Sequence, residues 1–152
     1  MSEIHVECLP DETLLKKLGF SRKQITHHTG KSRVFYQLTK SKNIVAMVDE
    51  DPKSPKTSHE KTLIFIKEQD GIMIYTDQFK NRIIILEVKL EDWVIALCKK
   101  YEVNILKFGL PDKPNDLHDK INQHLPKFEK LIDSLLVKNN PALLFLKENL
   151  KQ

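Results

Sequence analysis

Ile44-Val45-Ala46-Met47-Val48-Asp49-Glu50-Asp51, closed by Pro52, is the stretch whose reading decides the fold. Its first five residues are uncharged and mostly apolar, with no alternation. That pattern predicts a strand covered on both faces, as in the centre of a parallel sheet. The run then turns acidic. Asp49 and Asp51 lie two apart, so if strand geometry continues through them, both carboxylates point the same way and Glu50 points away. They would stand at the carboxyl edge, where open α/β sheets place ligands. Two carboxylates held that close repel unless a cation or proton sits between them. Hard oxygen donors of this kind suit Mg²⁺ or Mn²⁺. The competing reading is a polar turn after a buried strand, because Asp and Pro are ordinary turn residues.

Working outward, Glu3 to Cys8 alternates apolar and polar residues and predicts a short strand. Pro10 can open a helix, Asp11 and Glu12 suit its positive end, and Gly19 ends it. Gln24 to His28 predicts a second strand and Ser32–Thr39 a second helix. Thr29-Gly30-Lys31-Ser32 is not a phosphate loop, since the glycine required five residues before Gly30 is Ile25. With the strand Ile44 to Asp51, this gives a β-α-β-α-β run, which implies parallel pairing and right-handed crossovers.

Downstream, Pro52 to Ser58 has the composition of an exposed loop, and its Lys53 and Lys56 stand beside the acidic strand end. His59 to Gln69 is read as helical on the spacing of Leu63, Phe65 and Ile66. Ile72 to Thr76 and Arg82 to Val88 are strands. Leu90 to Tyr101 is a helix with Trp93, Val94 and Leu97 inward. Three further helices follow at Asp116 to Gln123, Lys127 to Val137 and Pro141 to Leu150. The expected architecture is α/β, with a mainly parallel sheet flanked by helices over residues 1–110 and a helical part over 111–152, in one domain of 152 residues.

A hydrophobic share of 40% and a charged share of 30% describe a globular chain. No apolar run approaches the ~20 residues of a membrane span. The amino terminus lacks a basic start followed by an apolar stretch, so the expected compartment is the cytoplasm. Cys8 and Cys98 are too few and too far apart for a disulfide framework or a zinc site. A net charge of +4 permits a polyanionic partner, with lysines apart from the acidic edge.

Taken together, the first third resembles the Toprim domain of topoisomerases, primases, recombination proteins and overcoming-lysogenization-defect nucleases. The likeness rests on Val6-Glu7-Cys8-Leu9-Pro10-Asp11, a glutamate ending the first strand with an acid nearby, and on Val48-Asp49-Glu50-Asp51, the Asp-x-Asp of a later strand. It covers about residues 3 to 52. Cys8 stands where the family usually has glycine. The resemblance implies a Toprim-like sheet and Mg²⁺-dependent nuclease-like cleavage of a nucleic-acid phosphodiester, or other Toprim-type nucleic-acid processing. Asp49 and Asp51 would hold the metal, and Glu7 would act as general acid/base or share a metal. Asp11 would support the site, and Glu91 looks like a strand-to-helix acid of some small Toprim-like proteins.

His28, at the end of the second predicted strand, could face the same edge as an accessory acid, base or ligand, although a polar strand end explains it as well. Lys53 and Lys56 are candidate phosphate contacts. His5 alternates with core positions and is read as a surface or supporting residue, while His59, His118 and His124 carry no motif. Two rival functions remain. One is a non-catalytic Toprim-like module binding a partner protein such as an ATPase through its apolar carboxyl-terminal helices. The other is a phosphohydrolase or phosphotransfer protein that uses the Asp-x-Asp as a nucleophile site.

Overall fold

The run Val45–Asp49 forms the central strand, and the order in which the chain returns to it builds the molecule. The computed structural model describes residues 3–151. The chain runs β1 (Ile4–Val6), α1 (Leu9–Lys17), β2 (Ile25–His27), α2 (Lys31–Leu38), β3 (Val45–Asp49), β4 (Ile64–Gln69), β5 (Ile72–Thr76) and β6 (Arg82–Leu86). Four helices follow: α3 (Leu90–Lys100), α4 (Pro114–Ile121), α5 (Leu125–Val137) and α6 (Pro141–Leu150). The sheet order is β2-β1-β3-β6-β5-β4. β2, β1, β3 and β6 are mutually parallel, while β5 and β4 are antiparallel to their neighbours. The protein is therefore α/β, with a mixed six-stranded sheet.

The two faces of the sheet are covered unequally. Val45 and Met47 join Ile4, Val6, Ile84 and Leu86 in the larger core, beneath α1 and α3 to α6. Ala46 and Val48 face the other way, onto Val34, Phe35 and Leu38 of α2. Placing α1 and α2 on opposite faces is what right-handed crossovers require when the chain steps first to one side of β1 and then to the other. Burial on both faces also explains why β3 carries no polar alternation. The carboxyl-terminal helices share the same core, through Leu117, Phe128, Leu131, Leu143 and Leu146. Among the described residues, no helix is long and apolar enough to cross a membrane.

The helix expected over His59 to Gln69 is not formed. A short 3-10 turn at Glu60–Thr62 leads instead into β4. Asp70 and Gly71 have φ of 51° and 75°, both in the left-handed region, and they close a two-residue hairpin in which Gln69 pairs with Ile72. Such turns need both central residues at positive φ, for which Asp-Gly is a favoured pair. The spacing of Leu63, Phe65 and Ile66 fits a helix, but Ile64-Phe65-Ile66 also suits a strand, and the ladder to β5 decides the outcome. β4 lies at the sheet edge and leaves Ile64, Phe65 and Ile66 exposed.

At the amino-terminal ends of β3 and β6, a polar network replaces apolar packing. Asn81 is fully buried. Its amide donates to Leu38 O at 3.0 Å, Ser41 O at 3.1 Å and Asp77 Oδ2 at 2.9 Å. Its carbonyl accepts from Ile44 N at 3.0 Å. His59 Nε2 meets the same Asp77 Oδ2 at 2.9 Å.

Candidate functional site

In parallel strands, every connection from a strand to its following helix emerges at the carboxyl edge. β1 to α1, β2 to α2 and β6 to α3 are such connections, and the loop after β3 joins them. The chain also reverses direction between β1 and β3, where a doubly wound sheet opens a crevice for ligands. Topology thus gathers Glu7, Asp11, Lys31, Asp49, Asp51 and Glu91 along one edge.

Glu7 and Asp49 meet directly. Asp49 N donates to Glu7 Oε1 at 3.2 Å, and the two carboxyls are also hydrogen-bonded side chain to side chain. Leu90 N donates to Asp49 Oδ1 at 2.9 Å, so Asp49 satisfies a free donor at the start of α3. Asp11 lies behind the pair, 1% exposed. Neither of its carboxyl oxygens has a hydrogen-bond partner. The Cys8 thiol and the backbone at Glu7 approach it but fall short of proper hydrogen bonds.

Burial, with little cationic compensation, governs the acidity of this group. Burial first, then the charges of Asp11, Glu7 and Glu91, push Asp49 up to about 9. Burial and the neighbouring carboxylates of Glu7 and Glu91 push Asp11 up to about 8. Glu7 is raised by burial too, against the hydrogen bonds from Asp49 and the nearby charge of Lys31. At neutral pH the cluster therefore holds protons, on Asp49 and Asp11.

Asp51 departs from expectation. The strand ends at Asp49, and Asp51 has φ 43°, outside any extended conformation. The premise that both aspartates share one strand face therefore fails. Asp51 Oδ2 accepts from Ser54 Oγ at 2.7 Å, and Lys89 Nζ lies 4.0 Å from Oδ1. Asp51 remains close enough for its charge to raise Glu7.

Lys31, set aside with the rejected phosphate loop, reaches this edge from the start of α2. Its Nζ donates to Glu50 O at 2.8 Å and pairs with the buried Glu60 at 2.9 Å. The signal for it was topological: a helix following a parallel strand begins at the carboxyl edge. His118 was also missed. It meets Glu91 across α3 and α4, Nδ1 to Oε1 at 2.7 Å, and nothing in the local sequence pairs residues so far apart. Both line a cleft of about 820 Å³ that also takes in Asp51, Lys53, Lys89 and Lys113. Lys56 is not among the residues of that wall.

His28 turns to other work. Its Nε2 shares a 2.8 Å hydrogen bond with His5 Nδ1, and His5 Nε2 lies 3.1 Å from Glu3 Oε2. Burial, then the His5 charge, lowers the His28 pKa. Cys8, in place of the expected glycine, has φ −152° and ψ 166°. That is ordinary extended backbone, so the cysteine does not strain the turn beside Glu7.

Among the described residues, no three His, Cys, Asp or Glu side chains are gathered into a ready ligand set. The donor chemistry nonetheless fits a hard divalent cation: all the acids offer oxygen, and Asp11 is buried without a partner.

Carboxyls with folded pKa values of about 8 and 9, against 3.8 as the reference, hold more protons folded than unfolded between those limits. Their stabilising contribution is complete below about pH 4 and is lost as pH rises through 8 to 9. In EDTA, the melting temperature should fall by roughly 5 °C or more between pH 5 and pH 9. Asp49→Asn should flatten that slope. A wild-type melting temperature that stays level or rises would mean the cluster is ionised at neutrality.

Compared with protein-family models, curated proteins and solved structures, the chain matches none.

Proposed function

We propose that the protein is a Toprim-type, Mg²⁺-dependent nuclease that hydrolyses a nucleic-acid phosphodiester. The observation that carries this reading is the meeting of Glu7 and Asp49 at the carboxyl edge, at the switch between β1 and β3, with the unpartnered Asp11 behind them. Carboxyls buried together at the cost of raised pKa values are a hallmark of sites that work on charge. Asp49 and Asp51 would hold the cation, with Asp11 as support. Bound there, Mg²⁺ (or Mn²⁺) would neutralise phosphodiester charge and lower the pKa of water. Glu7, freed of its hydrogen bond from the Asp49 carboxyl, takes a proton from the attacking water. The nearby charge of Lys31 favours the ionised form of Glu7, against the burial that raises it. The cleft beside Asp51 is lined by Lys53, Lys89 and Lys113, which would meet the phosphates of a strand lying there.

The test is cleavage of a mixed DNA and RNA panel with Mg²⁺, Mn²⁺ and EDTA. Metal-dependent cleavage is expected. No cleavage on any substrate, together with no Mn²⁺ binding by calorimetry, overturns the proposal.

The position of Lys53 in the cleft wall separates it from Lys56. Lys53→Ala should weaken nucleic-acid binding and reduce the slope of log K against log salt by about 0.7–0.9, the contribution of one phosphate contact. Lys56→Ala should leave the slope unchanged. Equal effects of the two variants would assign both to general surface charge.

The partner-binding alternative has one observation in its favour, the exposed Ile64, Phe65 and Ile66 on β4. The apolar carboxyl-terminal helices are divided, since Leu143 and Leu146 are buried in the core, Phe145 is partly buried and Leu144 is exposed.

A further inference from the structure

Glu91 occupies the first turn of α3 and is 6% exposed, yet it does not cap its own helix and meets no lysine among the described residues. Its partner is His118 on α4, at 2.7 Å from Nδ1 to Oε1. The carboxylate side chain is 8% exposed and the imidazole 66%. A buried carboxylate accepting from Nδ1–H fixes the tautomer and the ring orientation, and it stabilises the ring when that becomes an imidazolium. Nε2 then has no partner among the described residues and belongs to a ring that lines the open cleft. The charge of Glu91 is felt by Asp49 and Asp11, so the pair adjoins the acidic cluster rather than lying remote from it.

A surface ion pair would need no such asymmetry. Exposed pairs add little, and a buried carboxylate needs a firm partner rather than a largely solvated ring. One member buried and oriented, the other presented to a cleft, is the arrangement of a general acid or base and its orienting group.

We propose that His118, held by Glu91, is the catalytic general acid that protonates the oxygen leaving the phosphodiester. This rests on the nuclease reading above. In the reaction, the water oxygen bonds to phosphorus while the phosphorus bond to the leaving oxygen breaks. The water proton goes to Glu7, and the Nε2 proton of His118 goes to the leaving oxygen. The products are a phosphate monoester and an alcohol. Solvent then carries the proton from Glu7 and restores the one on His118, with no oxidant or other co-reactant.

The experiment compares two substrates under single turnover with Mn²⁺: an oligonucleotide, whose leaving alkoxide needs a proton, and thymidine 5′-p-nitrophenyl phosphate, whose nitrophenolate does not. His118→Gln should slow the oligonucleotide by about 10²-fold or more and the nitrophenyl ester by only a few-fold. Mn²⁺ affinity and melting temperature should match wild type, because the replaced ring is largely exposed and the glutamine amide can still donate to Glu91. Equal slowing on both substrates, or no slowing on either, overturns the role of His118 and leaves the nuclease reading standing. Weakened Mn²⁺ binding in the variant would make His118 a ligand instead of an acid. Wild-type protein inactive on both substrates overturns the nuclease reading and the role of His118 together.

Discussion

Asp49→Asn is expected to lower metal-dependent cleavage by roughly 10³-fold or more while the fold survives. The substitution keeps the shape and leaves a carbonyl oxygen to accept from Leu90 N, so the start of α3 stays satisfied. Its amide can donate to Glu7, replacing the proton that Asp49 now supplies. What disappears is a carboxyl that can ionise to meet a cation in a cluster of buried acids. Metal binding should weaken and cleavage should fail. Stability should move the other way: in EDTA at pH 8 the variant should melt a few degrees above wild type, because a carboxyl pushed up to about 9 by burial is no longer forced toward ionisation. Mn²⁺ should raise the wild-type melting temperature at pH 8 and leave the variant nearly unmoved, since only a ligand bound to the native state stabilises it. Calorimetry, thermal melts and the cleavage panel check the three parts. Cleavage persisting equally in Asp49→Asn would assign the activity to a contaminant.

The largest effect on stability is expected at the opposite edge of the sheet. Asn81→Ala removes one carbonyl acceptor and one amide from a fully buried site. Ile44 N, Leu38 O, Ser41 O and Asp77 Oδ2 all lose the same partner. Each buried polar group left unsatisfied costs about 1–3 kcal/mol, and shared partners make the sum less than additive. A loss of about 3–5 kcal/mol follows, or a fall of roughly 10 °C in melting temperature. Cleavage measured well below the melt should be unchanged, because the network lies at the amino-terminal ends of β3 and β6, away from Glu7 and Asp49. A melting temperature within about 2 °C of wild type would mean that water replaces Asn81. Reduced cleavage at equal folded fraction would instead couple the two edges.

Much of the frame was legible in residues 3 to 52. The unbroken apolar run at Val45–Val48 needs cover on both faces, and the two flanking helices supply it. Glu7 and Asp49 were also legible, because acids ending parallel strands share an edge whatever their separation in sequence. The hairpin at Asp70-Gly71 was present in the sequence as a turn signal, but the helical spacing of Leu63, Phe65 and Ile66 competed with it. Periodicity over so short a run does not separate the two, and pairing with β5 does.

The sequence by itself determined the β-α-β-α-β order of residues 3 to 52, the central strand and the carboxyl edge on which Glu7, Asp49 and the start of α3 fall. These follow from local periodicity and from the handedness of parallel crossovers, both properties of nearby residues. Only the tertiary structure decided the rest. Asp51 leaves the strand because the chain turns at a positive φ after Asp49, so a spacing of two no longer means a common face. The meeting of His118 with Glu91 depends on how α4 packs against α3, and the burial of Asp11 on what covers α1. Protonation belongs with these: a carboxyl pushed up to about 9 is the product of lost water and neighbouring charge, and neither exists until the chain has closed around it.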